Sequence, residues 1–143
     1  MCSEVPEMPV VYADDSIAVF SKPSGLLVHR GWGRDSTTAL DIARDYLGRW
    51  VYPVHRIDRG TSGLLVFALS PEMASKTQSV FEAGQVKKRY WAIVRGNPGE
   101  GLVDHAIPRR EDGPRVEAKT RYRTLWSGDR FSLVEAHPLT GRL

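Results

Sequence analysis

The stretch His55-Arg56-Ile57-Asp58-Arg59-Gly60-Thr61-Ser62-Gly63-Leu64-Leu65-Val66 holds the densest potential chemistry in the chain. One carboxylate, Asp58, lies among His55, Arg56 and Arg59, with hydroxyls and glycines just beyond. Neighbouring positive charge favours the ionised form of a carboxylate. An ionised aspartate on an anchored loop suits nucleophilic attack or charge stabilisation beside a polyanion. The same residues equally describe a plain turn, with Asp58 as its cap and the arginines solvated. Ser62 with His55 is the nearest approach to a hydrolase pair. It lacks the nucleophile-elbow pattern, and no second catalytic carboxylate motif accompanies it.

The elements around this loop follow from local pattern. Val10 to Ala13 and Ile17 to Ser21 flank Asp14-Asp15 and read as paired strands. Pro23-Ser24-Gly25 opens a loop. Thr37 or Thr38 caps a helix over Ala39 to Leu47, with Leu40, Ala43 and Leu47 on one face and Gly48 as its stop. Val51 to Val54 is a short strand entering the Asp58 loop, and Leu64 to Leu69 is a strand leaving it. Ser70-Pro71-Glu72 supplies a hydroxyl cap, a first-turn proline and an acid at the positive helix end. That helix carries Met73, Thr77, Val80 and Phe81 on one face and stops at Gly84. Arg89 to Val94, Gly101 to Ile107, Arg115 to Trp126 and Phe131 to Ala136 read as further strands. The pattern is α+β, with helices against a mostly antiparallel sheet.

The chain has 143 residues, 41% of them hydrophobic and 26% charged, enough for one domain with a substantial core. A net charge of +3 excludes a histone-like polycation. The cations are nonetheless clustered, at Lys87-Lys88-Arg89, Arg109-Arg110 and Arg115 to Arg123, with Tyr90, Trp91, Tyr122 and Trp126 beside them. Basic groups next to aromatics offer phosphate contacts and stacking faces. The alternation of Arg and Thr along Lys119 to Thr124 is also what the solvent face of a strand looks like. A single cysteine, Cys2, rules out an internal disulfide, and no signal-like or membrane-length apolar run occurs, so a cytoplasmic setting is expected. His29, His55, His105 and His137 lack zinc-site spacing, and no phosphate-cradling Gly-Lys-Ser/Thr element is present. No metal or cofactor is expected.

The Asp58 stretch resembles the catalytic motif of the RluA-type RNA pseudouridine synthases, with Ile57 where that family usually has leucine. Three further segments match in the family's order. Lys22-Pro23-x-Gly25-x-x-Val28-His29 is similar to its N-terminal motif, and Lys88-Arg89-Tyr90-x-Ala92-x-Val94-x-Gly96 to its Lys-x-Tyr strand. Thr140-Gly141-Arg142 is similar to the opening of its Thr-Gly-Arg segment. Four motifs in order carry far more weight than any one of them.

The resemblance implies a mixed sheet with flanking helices, over residues 9–143, after a disordered stretch at 1–8. The chain stops inside the fourth motif, so it is expected to be the N-terminal part of a catalytic domain. The implied reaction breaks the N1–C1′ bond of a uridine, turns the uracil and rejoins it through C5, with no cofactor. Asp58, Tyr90 and Arg142 are the implied catalytic residues. Asp58 attacks the sugar or removes a sugar proton, Tyr90 lies against the uracil, and Arg142 pairs with Asp58. Arg56, His55, Thr61, Lys22 and Lys88 are expected at the substrate. Arg56 holds the flipped-out nucleotide or fills its space, and Thr61, Ser62 and Gly63 shape the loop. Lys22 either touches the RNA backbone or is an exposed turn residue before proline.

Arg142 is the penultimate residue, where chains fray, and the Leu143 carboxylate competes for its guanidinium. Misplacement of about 1 Å can cost about 100-fold in rate, so weak or no activity is expected of these residues alone. The alternative is a non-catalytic RNA-binding module derived from such an enzyme. The segment Val28-His29-Arg30-Gly31-Trp32 resembles the tRNA-modifying branch of the family. Few residues precede the first strand, which leaves no room for an added RNA-binding domain, so tRNA is favoured over rRNA as the partner.

Overall fold

The computed structural model describes residues 6–30, 37–108 and 113–140. Two compact units divide the chain, the first running to Val80 and the second beginning at Phe81.

In the first unit, β1 (Val10–Ala13), β2 (Ile17–Lys22), β3 (Tyr52–Pro53) and β4 (Gly63–Ala68) form one antiparallel sheet in the order β1-β2-β4-β3. Alternation along β2 buries Ala18, Phe20 and Lys22, which stand opposite Phe67, Leu65 and Gly63 of β4. Phe20 and Phe67 meet edge-to-face at 5.9 Å between ring centroids. The helix α1 (Ala39–Leu47) begins at Thr38, whose hydroxyl accepts from the Asp41 amide while the Asp41 carboxylate takes the Thr38 N–H. This capping box satisfies two orphan groups at once. Two more first-turn amides, those of Ala39 and Leu40, donate to the carbonyls of Leu27 and Val28. The helix buries Ala39 and Ala43, and Tyr46 sets its ring edge-on to Phe20. The helix α2 (Pro71–Glu82) starts where the Ser70 hydroxyl accepts from the Met73 amide.

The second unit is a separate antiparallel sheet in the order β5-β10-β9-β6, from β5 (Tyr90–Arg95), β6 (Glu100–Asp104), β9 (Lys119–Ser127) and β10 (Phe131–Pro138). A small ladder, β7 (Ile107–Pro108) with β8 (Arg115–Val116), stands apart from it.

Two expectations need correction. The run Gly101 to Ile107 is two strands, and so is Arg115 to Trp126. Both break at one level, where the His105 amide donates to the Ala118 carbonyl and both chains turn off the main sheet. Sequence periodicity sees no such corner because it is made between strands. All described pairings are antiparallel and fall in three sheets, in keeping with an α+β fold whose sheet is mostly antiparallel. Ahead of β1, Met8 is buried and the Pro9 carbonyl accepts from the Ser21 amide.

Candidate active site

Asp58 occupies a tight turn built by its own backbone, with the Thr61 amide donating to the Asp58 carbonyl at 3.0 Å. The turn is held from beneath by Ile57, which is only 9% exposed, while its neighbours Arg56 and Asp58 are exposed. One apolar plug between two solvent-facing charges presents both charges from a fixed backbone.

The turn is also clamped from the side by the Lys22–Leu26 segment. The Gly25 amide donates to the Arg59 carbonyl at 2.7 Å, and Arg59 Nε returns a bond to the Gly25 carbonyl at 2.9 Å. The Ser24 hydroxyl donates to the Gly60 carbonyl at 2.8 Å. Gly25 has φ +89°, a conformation that other residues adopt only with strain. Gly63, where the loop enters β4, has φ +136°. The glycines of both motifs are therefore conformational requirements of one joint structure.

Lys22 sits at the centre of that structure. It is 1% exposed, at the end of the apolar row of β2, and opposite Gly63. A buried ammonium is costly unless its protons are taken. Here Nζ donates to the carbonyls of Leu26 at 2.7 Å, Pro23 at 2.8 Å and Arg59 at 3.3 Å. Burial pulls its pKa below the usual lysine value, and the nearby charge of Asp58 opposes that shift. Lys22 is therefore not an exposed turn residue, and its donors are directed to the loop.

His55 also has a structural bond. Strand β3 ends at Pro53, so the next rung toward β4 is not made by backbone. The His55 ring supplies it, with Nε2 accepting from the Val66 amide at 2.9 Å. An imidazole nitrogen that accepts carries no proton, so this ring is neutral with its proton on Nδ1.

The remaining expected residues lie in the second unit. Tyr90 opens β5, half-buried, opposite Ala136. Lys88 is half-buried, donates from Nζ to the Thr140 carbonyl at 3.2 Å, and has its pKa lowered by burial. Arg142, together with Gly141, falls outside the described residues, as do Gly31 and Trp32. Asp58, Arg56, His55, Thr61 and Lys22 belong to the first unit, and Tyr90 and Lys88 to the second.

One group was not singled out from sequence. Glu135 of β10 is 5% exposed, and its Oε1 accepts from Arg123 Nε at 3.0 Å, Arg123 Nη2 at 2.9 Å and His137 Nε2 at 3.1 Å. Arg89 lies 3.9 Å from Oε2. Hydrogen bonding from His137, then from Arg123 and the Trp91 indole, outweighs burial and holds the carboxyl down to about 2. One acid in the run Phe131–Pro138, which also holds Ser132 and His137, gives no local signal of this role. Among the described residues no group of three His, Cys, Asp or Glu side chains is placed to hold a metal, and no helix is long and apolar enough to cross a membrane.

Comparison with known proteins places this geometry in context. Residues 16–143 match the family profile described as RNA pseudouridylate synthase. The chain is similar to proteins named tRNA pseudouridine synthase C. That of Vibrio parahaemolyticus is 36% identical, over 95% of this chain and 65% of the relative. That of Yersinia pestis is 43% identical, over 94% and 62%, and that of Pectobacterium carotovorum is 36% identical, over 94% and 42%. The solved structure of human RNA pseudouridylate synthase domain containing 4 superposes with a TM-score of 0.76 at 31% identity, covering 93% of this chain and 59% of that one. The chain spans between two fifths and two thirds of the length of these curated relatives.

Proposed function

Since this chain belongs to the RNA pseudouridylate synthase family, we propose that it carries the Asp58 loop of an enzyme that isomerises a uridine in RNA to pseudouridine. The observation that carries this reading is the exposed carboxylate of Asp58 on a turn fixed by buried Ile57, the Gly25–Arg59 clamp and the Lys22 ammonium. A reacting group must be held to within fractions of an ångström, and a pinned turn meets that requirement.

In this reading Asp58 acts at the sugar, as a nucleophile on carbon or as a base for a sugar proton. The N1–C1′ bond breaks, the uracil turns, and a C5–C1′ bond forms. The proton lost from C5 is balanced by one gained at N1, so product and substrate are isomers. No cofactor enters. Tyr90 packs against the uracil and assists removal of the C5 proton, and Arg142 pairs with Asp58. Arg56, exposed beside Asp58, holds the extruded nucleotide or fills its place, since extrusion costs a few kcal/mol of stacking. Thr61 closes the turn, and Lys88 assists substrate binding from the second unit. The RNA is a tRNA in preference to an rRNA, because the similar proteins carry that name. The setting is cytoplasmic.

The test is a single-turnover assay on uridine-labelled tRNA with protein in excess, beside Asp58→Ala. Pseudouridine formed by the wild type and absent from the variant is the expected result. Equal product from both proteins would overturn the assignment of Asp58.

A further inference from the structure

The second unit presents an ordered polar row on one face of its sheet. Residues directly opposite in neighbouring strands share a face. The register sets Trp91 of β5 opposite Glu135 of β10, Glu135 opposite Arg123 of β9, and Arg123 opposite Glu100 of β6. The next row on that face holds His137, Arg121 and Leu102. A groove of about 1110 Å³ runs along these rows, lined by Lys87, Lys88, Arg89, Arg121, Arg123 and His137 among others. Five of its lining residues are Lys or Arg and two are Glu, a net +3 that equals the charge of the whole chain. Among the described residues, neither Lys87 nor Arg121 has an ion-pair partner, and both are exposed.

Trp91 stands on the neighbouring strand opposite Glu135, which lines this groove. It is 66% exposed, an unusual position for a large indole on a β-strand. The register alone brings it beside Glu135, and the ring stays open to solvent. Glu135 thus has the exposed indole opposite it on one strand and holds the Arg123 guanidinium of the other.

We propose that this face binds an unpaired segment of RNA, with one base stacked on Trp91 and the flanking phosphates on Arg121, Arg123 and Lys87. Every base has a π-face to offer such a ring, but only an unpaired base can present it, and the excess of cations complements a phosphodiester chain. The inference rests on the RNA-modifying reading above and adds a binding surface separate from the Asp58 loop in sequence and in structural unit.

The test is anisotropy of an end-labelled oligouridylate of about 12 nucleotides, within the usual span of a single-strand site, titrated with the 143-residue chain at several salt concentrations. Trp91→Ala is expected to weaken binding about 5- to 150-fold with an unchanged salt slope, whereas Trp91→Phe keeps most of the affinity. Arg121→Ala is expected to reduce the slope of log affinity against log salt by about 0.7, the share of one phosphate contact. Binding is read without turnover, so failure of the catalytic assignment leaves this result untouched. Trp91→Ala binding as tightly as wild type would overturn the proposal. So would a blunt duplex competing as well as the single strand, or no binding by the wild type.

Discussion

Lys22 Nζ donates to the Arg59 carbonyl at 3.3 Å, a bond between residues 37 apart in the chain that ties the Lys-Pro motif to the Asp58 turn from within. Two further carbonyls share the same ammonium. The pair explains why a strand that is otherwise an apolar row ends in a charge. The charge is the bolt, and the turn is what it holds.

Removing that bolt should loosen the whole joint. Lys22→Met preserves length and apolar bulk but leaves three carbonyls without their charged donor. A loss of about 3 kcal/mol in stability is expected, from hydrogen bonds to a charged group and the desolvated acceptors left behind. Urea denaturation followed by circular dichroism measures it. A midpoint equal to that of the wild type would show that the Nζ bonds contribute nothing.

The two glycines near Asp58 should differ sharply. No atom lies within 4 Å of an added Cβ at either Gly60 or Gly63, so crowding is absent in both cases. Only Gly63 has a positive φ. Gly63→Ala is expected to cost about 1–3 kcal/mol in backbone strain, and Gly60→Ala no more than about 0.5 kcal/mol. Thermal unfolding of the two variants side by side decides the matter, and equal costs would refute it.

His55 replaces a missing rung of the sheet, so its effect should be local. In His55→Ala the Val66 amide loses its acceptor. Hydrogen exchange at that amide should speed by about tenfold, the equivalent of about 1.4 kcal/mol. Amides of β1, away from the rung, should keep their protection. Uniform loss across the sheet would mean that the ring supports the fold generally.

Glu135 gives the second unit an acid limit. Its folded pKa of about 2 lies below the ordinary 4.5, so the unfolded chain binds more protons between those values. Stability therefore rises with pH through that window. The contribution is fully present above about 4.5 and is lost as pH falls toward about 2. Melting temperatures of the wild type should fall across this range more steeply than those of Glu135→Gln. Parallel curves would remove Glu135 as the cause.

Several features were plain in the residues. Thr38 begins α1 and Gly48 ends it because capping chemistry lies within four positions of each end, and Ser70-Pro71-Glu72 marks α2 for the same reason. The Asp58 loop was marked by composition, between two β-prone runs. Lys22 was misread because its neighbour Pro23 suggests an exposed turn, whereas its burial depends on pairing with Gly63 and on carbonyls 37 residues away. Glu135 went unnoticed because one acid in a strand carries no local signal. Only the register of β5, β10 and β9 brings Trp91, Arg123 and His137 to it.

The chain by itself thus determined the α+β class, the ends of its helices and the stretch that carries Asp58, since each depends on interactions within a few residues. Tertiary structure alone decided that His55 is a neutral rung, that Lys22 is a buried bolt and that Glu135 is a hub. Each of those roles is set by what a side chain meets across a sheet or between loops. Alternation along one strand says which residues share a face; it does not say which residues of another strand stand opposite them.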